Sequence, residues 1–448
     1  MFSSFAPLYE EKRFNINTKT TPYRKPVRLN FFESNFLSNI FCGGLYNEGA
    51  YLFFVWSSFL ISILLLLVVG RKSIWLGLII SSFILGVLNL PLSNVVTIFI
   101  KTICDPSIFL LALAVGIMPI VGGALSESGL IKNLIQSLNM HSKTFLFIAP
   151  AFMGMLTMPG GALLSAPVIA NVGSGATKAD YAAVNVWFRH ILVMIYPLAG
   201  LLATTKMAGL DLYTEVLYLL PAFLLLTLLG YFFILRPIKD NSVLSGKHDS
   251  RKIFQPIGAV MIAPVIHIIG KSLFPIIIEE IPLIIGIFLS LGLTFYFGNL
   301  SLRELKPITL KMRPWRFFLL ILGMFIFLNV FKATDASAAI SSIAFNKTFL
   351  VVGIALFLGF VTGRVQVPVS ILLPIYYAGF GAEAISPLVF AVMYFAVFIG
   401  YVVSPIHPCV SVTVEYFNTS LREYYRKVAA PALIAILCVS LFSIVFVG

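Results

Sequence analysis

Apolar residues run along this chain in blocks too long and too continuous for the half-buried strands or amphipathic helices of a soluble domain. Blocks near 51–69, 74–90, 107–125, 181–203 and 213–235 are followed by a second set near 254–270, 281–298, 315–331, 385–412 and 428–447. Each approaches or reaches the roughly 20 residues that an α-helix needs to cross a bilayer. The pattern predicts ten membrane spans in two groups of five, 51–235 and 254–448, joined by a basic loop over 236–253. Residues 1–50 read as a polar tail, because the stretch from Met1 to Arg28 is basic and lacks the apolar core of a signal peptide.

Two blocks break this rhythm. Phe145–Thr157 is 13 residues long, stops at Met158-Pro159-Gly160-Gly161, and is followed by a second apolar arm from Ala162 to about Val172. Phe349–Gly363 stops at Arg364-Val365-Gln366 before an arm from Val367 to about Phe380. Apolar runs of about 10–14 residues tend to be re-entrant or interfacial. Proline and glycine in mid-membrane backbone are tolerated only where protein or a water-filled cavity surrounds them. The expectation is a pair of helical hairpins, at about 145–172 and 349–380, each entering the membrane and returning to the same side.

The halves share an order of landmarks. Lys143-Thr-Phe-Leu recurs as Lys347-Thr-Phe-Leu, and 16 residues after each lysine stands the hairpin break, Pro159 or Gly363. A second-arm proline follows, Pro167 or Pro374, and then a span interrupted at Tyr196-Pro197 or Ser404-Pro405. Charge gives the orientation. Arg236 to Lys252 holds five basic and two acidic residues, and Arg303 to Arg316 five basic and one acidic, so both segments should be cytoplasmic. Lys271–Glu280 is net acidic and fits the outside. Five crossings per half then invert the second half relative to the first. The predicted fold is an all-α polytopic membrane protein of two inverted repeats, each with five transmembrane helices, a re-entrant hairpin and a broken helix.

Composition agrees. Of 448 residues, 59% are hydrophobic and 11% charged, and the mean hydropathy is +0.99. A soluble domain carries about 25% charged residues, so soluble enzymes, nucleic-acid modules and disordered chains are excluded. The formal charge of +13 reflects basic loops rather than a nucleic-acid partner. Cys42, Cys104, Cys409 and Cys438 are far apart, without a CxxC pair, and their spacing suggests neither a disulfide framework nor a metal site.

A helix interrupted in mid-membrane exposes unpaired N–H groups at one new end and carbonyls at the other. Inverted repeats with such breaks are the signature of secondary transporters, in which N-terminal ends face anions and carbonyl ends face cations. Gly160 and Gly161 allow close backbone approach to a ligand. Pro368, Pro405 and Pro408 each suit a first helical turn, and Ser404 reads as an N-cap.

Arg364, at the second tip with Thr362, Gly363 and Gln366, carries a charge whose cost at membrane depth is at least ~2.5 kcal/mol. It suits a carboxylate or other oxyanion, or it pairs with Glu383 or snorkels to the surface. Arg189 lies ~12 Å into its span, where snorkelling to the interface is the simplest reading, and Asn185 shares its helical face. His407 at the second break either carries a coupling proton or packs among aromatics. Carboxylates fall near span ends, so a sodium ion would need backbone carbonyls with Thr157, Ser165, Thr362 and Ser370.

The segment Thr157-Met-Pro-Gly-Gly-Ala-Leu-Leu-Ser-Ala-Pro167, followed by Asn185-Val-Trp-Phe-Arg-His190, resembles an uncharacterised, largely archaeal family of prokaryotic integral membrane proteins. That family is grouped with the ion transporter superfamily, alongside gluconate permeases, arsenite pumps and dicarboxylate/sodium symporters. The resemblance spans roughly 51–448. It implies an elevator-like, two-repeat transporter in the cytoplasmic membrane, dimeric, carrying a small anion with sodium or protons and needing no other cofactor. The Ser-Asn-Thr tips of the dicarboxylate symporters are replaced here by Met158-Pro-Gly-Gly161 and Thr362-Gly-Arg-Val365, so dicarboxylate and sodium are not carried over.

An anion channel or uncoupled permease would share these features. An intramembrane hydrolase is not expected: the chain lacks HExxH, and Val172-Gly-Ser-Gly175 lacks the first glycine of the serine-nucleophile motif. The candidate site comprises Pro159, Gly160, Gly161, Ser165, Asn185, Arg189, Thr362, Gly363, Arg364, Gln366, Ser370, Ser404 and His407.

Overall fold

A computed structural model of the chain describes residues 48–448 except 138, 157, 159–160, 171, 173–174, 199, 240–242, 245–248, 337–338, 340–345 and 382–384. The tail up to 47 and the candidates Thr157, Pro159, Gly160 and Glu383 lie outside the described residues.

The first half forms α1 (Glu48–Gly70), α2 (Ile74–Asn89), α3 (Leu92–Cys104), α4 (Pro106–Glu127), the short α5 (Leu130–Gln136), α6 (Ser142–Gly154) and α7 (Gly161–Ala170). It continues with α8 (Lys178–Ile195), α9 (Gly200–Ala208) and α10 (Leu212–Gly230), which ends in a π-helical turn, Tyr231–Leu235. The second half forms α11 (Ser250–Leu273), α12 (Glu280–Phe297), α13 (Leu302–Met312) and α14 (Trp315–Ala333). After these come a π-helical entry (Phe349–Ile354) into α15 (Ala355–Thr362), then α16 (Gln366–Phe380), α17 (Pro387–Val403), α18 (Pro408–Tyr416) and α19 (Leu421–Phe446). The strand content among the described residues is one antiparallel ribbon, β1 (Met140–His141) against β2 (Val243–Leu244).

Eight described helices are long and apolar enough to cross a membrane, or nine if the bent pair α8–α9 is one span. This is a multi-pass, all-α membrane protein. The tenth expected span, 74–90, is a helix of only 16 residues, ended by Leu90-Pro91, because a residue before proline is pushed out of helical geometry. Two helices were absent from the sequence reading. α3 buries only Val95 and Thr102. α13 occupies the expected basic loop and starts at a capping box in which Ser301 and Glu304 satisfy each other's backbone donors.

The helices sort into two bundles. α1–α5 pack with α11–α14, and α6–α10 pack with α15–α19; the principal helix contact between the bundles is α14 on α16. Most pairings have a counterpart when the halves are exchanged. α2 packs on α14 as α12 packs on α4; α3 on α14 as α13 on α4; α6 on α8 as α15 on α17; and α7 on α18 as α16 on α9. A small, mainly apolar cavity of about 30 Å³ lies in the seam, lined by Met118 and Leu125 of α4, Leu156 and Tyr196 from the second bundle, and Val260 and Ile287 of α11 and α12.

In the second bundle the first hairpin arms touch their neighbours backbone to backbone. A Cβ on Gly154 would lie 1.8 Å from the Arg189 carbonyl oxygen, and one on Gly359 would lie 2.2 Å from that of Val397. Such small-residue crossings are how membrane helices approach closely without a hydrophobic driving force. Alanine at either position must separate the helices, at a cost of about 1–3 kcal/mol. The expected outcome is a lower melting temperature of detergent-purified Gly154→Ala and Gly359→Ala. Gly258→Ala, whose methyl meets open space, should melt like the parent.

Candidate functional site

α8 carries the centre of the site. Its start is fixed by a capping box between Thr177 and Asp180, and Lys427 holds the Asp180 carboxylate at 2.6 Å. Farther along, Asn185 and Arg189 lie one turn apart and both reach α7. Asn185 Nδ2 donates to the Ala162 carbonyl (3.2 Å) and to Thr413 Oγ1 of α18 (2.9 Å), and its Oδ1 is buried without a partner. Arg189 Nη1 donates to Ser165 Oγ at 3.3 Å. Its other Nη would lie 2.0 Å from a Cβ on Gly161, so only glycine admits the guanidinium there. Arg189 therefore does not snorkel; it is 5% exposed, because the seat formed by Gly161 and Ser165 holds it inside the bundle.

The second break supplies the opposite wall. Ser404 is the C-cap of α17 rather than an N-cap. Its Oγ donates to the Phe360 carbonyl (2.6 Å) and accepts from Ile406 N (3.2 Å), tying the break to the hairpin. His407 is the N-cap of α18, and Pro408 takes the first helical position. Gly363 turns the chain between α15 and α16 with φ +59°, and its Cα faces the His407 backbone so closely that a Cβ would lie 2.9 Å from the His407 nitrogen.

The two breaks meet through their histidines. His407 Nε2 and His190 Nε2 are 3.0 Å apart, both rings buried. Tyr401 lies over them, 4.2 Å from the His407 ring and 5.2 Å from that of His190. Cys409 joins them: its sulfur and one ring nitrogen of each histidine lie within 4.8 Å of one another. That distance would let a soft metal ion draw the three together. The facing imidazole nitrogens are, however, already spent on each other, and the Arg189 guanidinium faces the same thiol. We read the histidines as a hydrogen-bonded pair.

Arg364 stands exposed on the second tip and acts electrostatically on both Tyr401 and His407. Neither Arg189 nor Arg364 has a carboxylate partner among the described residues. Gly161, Ser165, Asn185, Arg189, Gly363, Arg364, Ser404 and His407 are thus brought together. Thr362 and Ser370 bond backbone of their own hairpin, at Leu358 and Val367, and the Gln366 amide sits over Gly200 at the start of α9. His190, Tyr401, Cys409 and Thr413 complete the site. Of these, His190 was signalled by its place next to Arg189 in an apolar span. The other three are polar positions in or beside the Ser404 break with no local pattern to distinguish them.

The family described as protein of unknown function (DUF401) matches residues 55–446. The chain belongs to the DUF401 family. No curated protein matches it.

This DUF401 protein also carries a network of partnered charges on the acidic side of the bundles. Lys206 of α9 contacts Glu279 (2.6 Å) and Glu280 (2.8 Å), and Lys271 of α11 contacts Glu279 (3.1 Å) and Asp211. Ser107 Oγ donates to Glu280 Oε1 at 2.8 Å, and Tyr213 Oη is 2.8 Å from His267 Nδ1. The network fastens α9 and α10 of one bundle to α11 and α12 of the other. Burial alone would raise the Asp211 and Glu279 carboxyls, but the Lys271 ammonium at Asp211 and the Lys206 ammonium at Glu279 outweigh it and hold both below the ordinary carboxylate range.

Carboxyls depressed by folding stabilise the fold fully above their unfolded values, near about 4, and lose that contribution as pH falls through the folded values. With side chains a third or more exposed, each pair is worth at most about 1 kcal/mol. The contribution of these pairs should therefore be constant from neutral pH down to about pH 5 and be lost below about pH 4. Lys271→Met should lower the melting temperature at neutral pH and shrink the further loss in acid, as measured by thermal unfolding across pH.

Proposed function

We propose that the protein is a secondary active transporter that moves a small organic or inorganic anion across the cytoplasmic membrane, coupled to sodium or protons, by an elevator-like displacement of one bundle along the other. The observation that carries this reading is the pair of guanidiniums, Arg189 and Arg364, left without carboxylates where the hairpins and broken spans meet. Planar forks of this kind bind carboxylates and oxyanions bidentately. The N-terminal ends of α7 and α18 lie beside them and favour negative charge.

The reading includes two inverted repeats with re-entrant hairpins. It is supported by the element order recurring in both halves, by pairings that recur on exchange of the halves, and by hairpin arms of 13 residues (α6) and 10 residues (α7). Arms of that length span only about 15–20 Å, short of the ~30 Å apolar thickness of a bilayer. The grouping of the family with the ion transporter superfamily, and a homodimeric assembly, belong to the same proposal.

Uptake of radiolabelled carboxylates and inorganic oxyanions into proteoliposomes, under imposed sodium or proton gradients, tests it. Gradient-driven accumulation is expected, and flux insensitive to both gradients would identify a channel. Arg364→Ala should abolish uptake while expression and melting stay unchanged. Arg364→Lys, which keeps the charge without the fork, should recover only part of it. Wild-type kinetics in Arg364→Ala would remove this residue from the site.

A further inference from the structure

The histidine pair has a defined proton arrangement. His190 Nδ1 lies 2.5 Å from the Val186 carbonyl; a carbonyl only accepts, so Nδ1 carries the hydrogen and His190 Nε2 presents its lone pair. The 3.0 Å contact between the two Nε2 atoms then requires the hydrogen on His407 Nε2. This leaves His407 Nδ1 as a bare lone pair, buried with no partner within hydrogen-bond distance among the described residues, while the Gly363 backbone beside the ring favours its protonated form. A buried imine nitrogen without a donor is costly unless it has a use.

We propose that His407 Nδ1 is the docking atom of a coupling proton, and that the resulting positive charge is shared across the His190–His407 hydrogen bond. Protonation there leaves the Nε2–H···Nε2 bond in place and makes it charge-assisted, which strengthens it. The groups facing the pair are Arg189 on α8, Arg364 on the hairpin tip, Tyr401 on α17, Cys409 on α18 and, beyond the thiol, Tyr424 on α19. Two are fixed cations, and neither has a carboxylate to neutralise it. A further positive charge is therefore opposed in the empty site and admitted when an anion sits between the guanidiniums. By linkage, the proton raises anion affinity by the same factor. Anion and proton enter and leave together, which is the behaviour of a symporter. The coupling role rests on the transport reading above; the tautomer and the shared proton do not.

Imidazole ¹⁵N NMR of the full-length protein in lipid nanodiscs, without added anion, tests the proton arrangement. At neutral pH, His407 Nδ1 should show the shift of an unprotonated nitrogen, and the two Nε2 atoms should show coupling across their hydrogen bond. A protonated His407 Nδ1, or independent rings, overturns the proposal.

Calorimetric binding of inorganic sulfate and acetate between about pH 6 and 8, where neither probe titrates, tests the linkage. The apparent affinity of whichever probe binds should weaken by about tenfold per pH unit on the alkaline side, the slope of one linked proton. His407→Gln offers a donor toward His190 but cannot take up a proton, so its pH slope should vanish whatever affinity remains. A wild-type slope in that variant overturns the proposal. Binding of neither probe, in an otherwise folded protein with the expected NMR signature, counts against the transport reading and leaves the proton site standing. Stoichiometric capture of Zn²⁺ by the wild type but not by Cys409→Ser would overturn the proton site in favour of a metal centre.

Discussion

An apolar solvent cannot accept a hydrogen bond, and an interrupted helix within it must find partners for backbone groups that an intact helix would satisfy itself. The rest of the second bundle is arranged around that constraint. Ser404 ties the end of α17 to the Phe360 carbonyl, and Asn185 reaches the Ala162 carbonyl at the start of α7. Gly363 turns the hairpin so tightly that its backbone touches that of His407. Each device closes part of the local deficit and also brings a polar side chain to the same place. The site arises where the breaks are repaired.

Charge is distributed by the same logic. Lys206, Lys271, Asp211, Glu279 and Glu280 neutralise one another at the edge of the bundles. Arg189 and Arg364 are left uncompensated where the breaks meet; Arg189 is buried, where the effective dielectric is lower and its charge acts more strongly. A ligand of opposite sign would complete an arrangement that the protein leaves unfinished. The buried Asn185 Oδ1 and His407 Nδ1 add acceptors next to these cations, so the pocket can meet both charged oxygens and protons.

Much of the architecture is legible in the sequence, because membrane insertion writes itself into long apolar blocks, and Met158-Pro-Gly-Gly161, Arg364-Val-Gln366 and Ser404-Pro405 mark their interruptions. α13 was legible too, through Ser301 and Glu304, but its basic residues made it look like a loop. The short α2 was misjudged because an apolar run reports where lipid or protein is tolerated, not where Pro91 will end a helix. The site was only half legible. Arg364 and His407 stand out as polar residues at breaks. Cys409 has no CxxC partner, and although His407 stands two positions before it, the neighbourhood of both with His190, 219 positions before Cys409, exists only after the two halves pack. The misjudged depth of Arg189 has the same origin, since nothing local announces that Gly161 and Ser165 will seat its guanidinium.

The small ribbon between β1 and β2 has a mechanical meaning. The chain passes from one bundle to the other after α4, after α10 and after α14. β1 lies in the first of these connectors and β2 in the second, and their pairing of Met140 with Leu244 and His141 with Val243 stitches the two together. The relative travel proposed for the bundles would have to be absorbed in the connectors, since the hairpin arms are packed tightly on their broken helices at Gly154 and Gly359. Two connectors sewn to each other cannot flex separately. In the proposed elevator-like displacement the two would turn as one hinge, on the face that carries the basic loop.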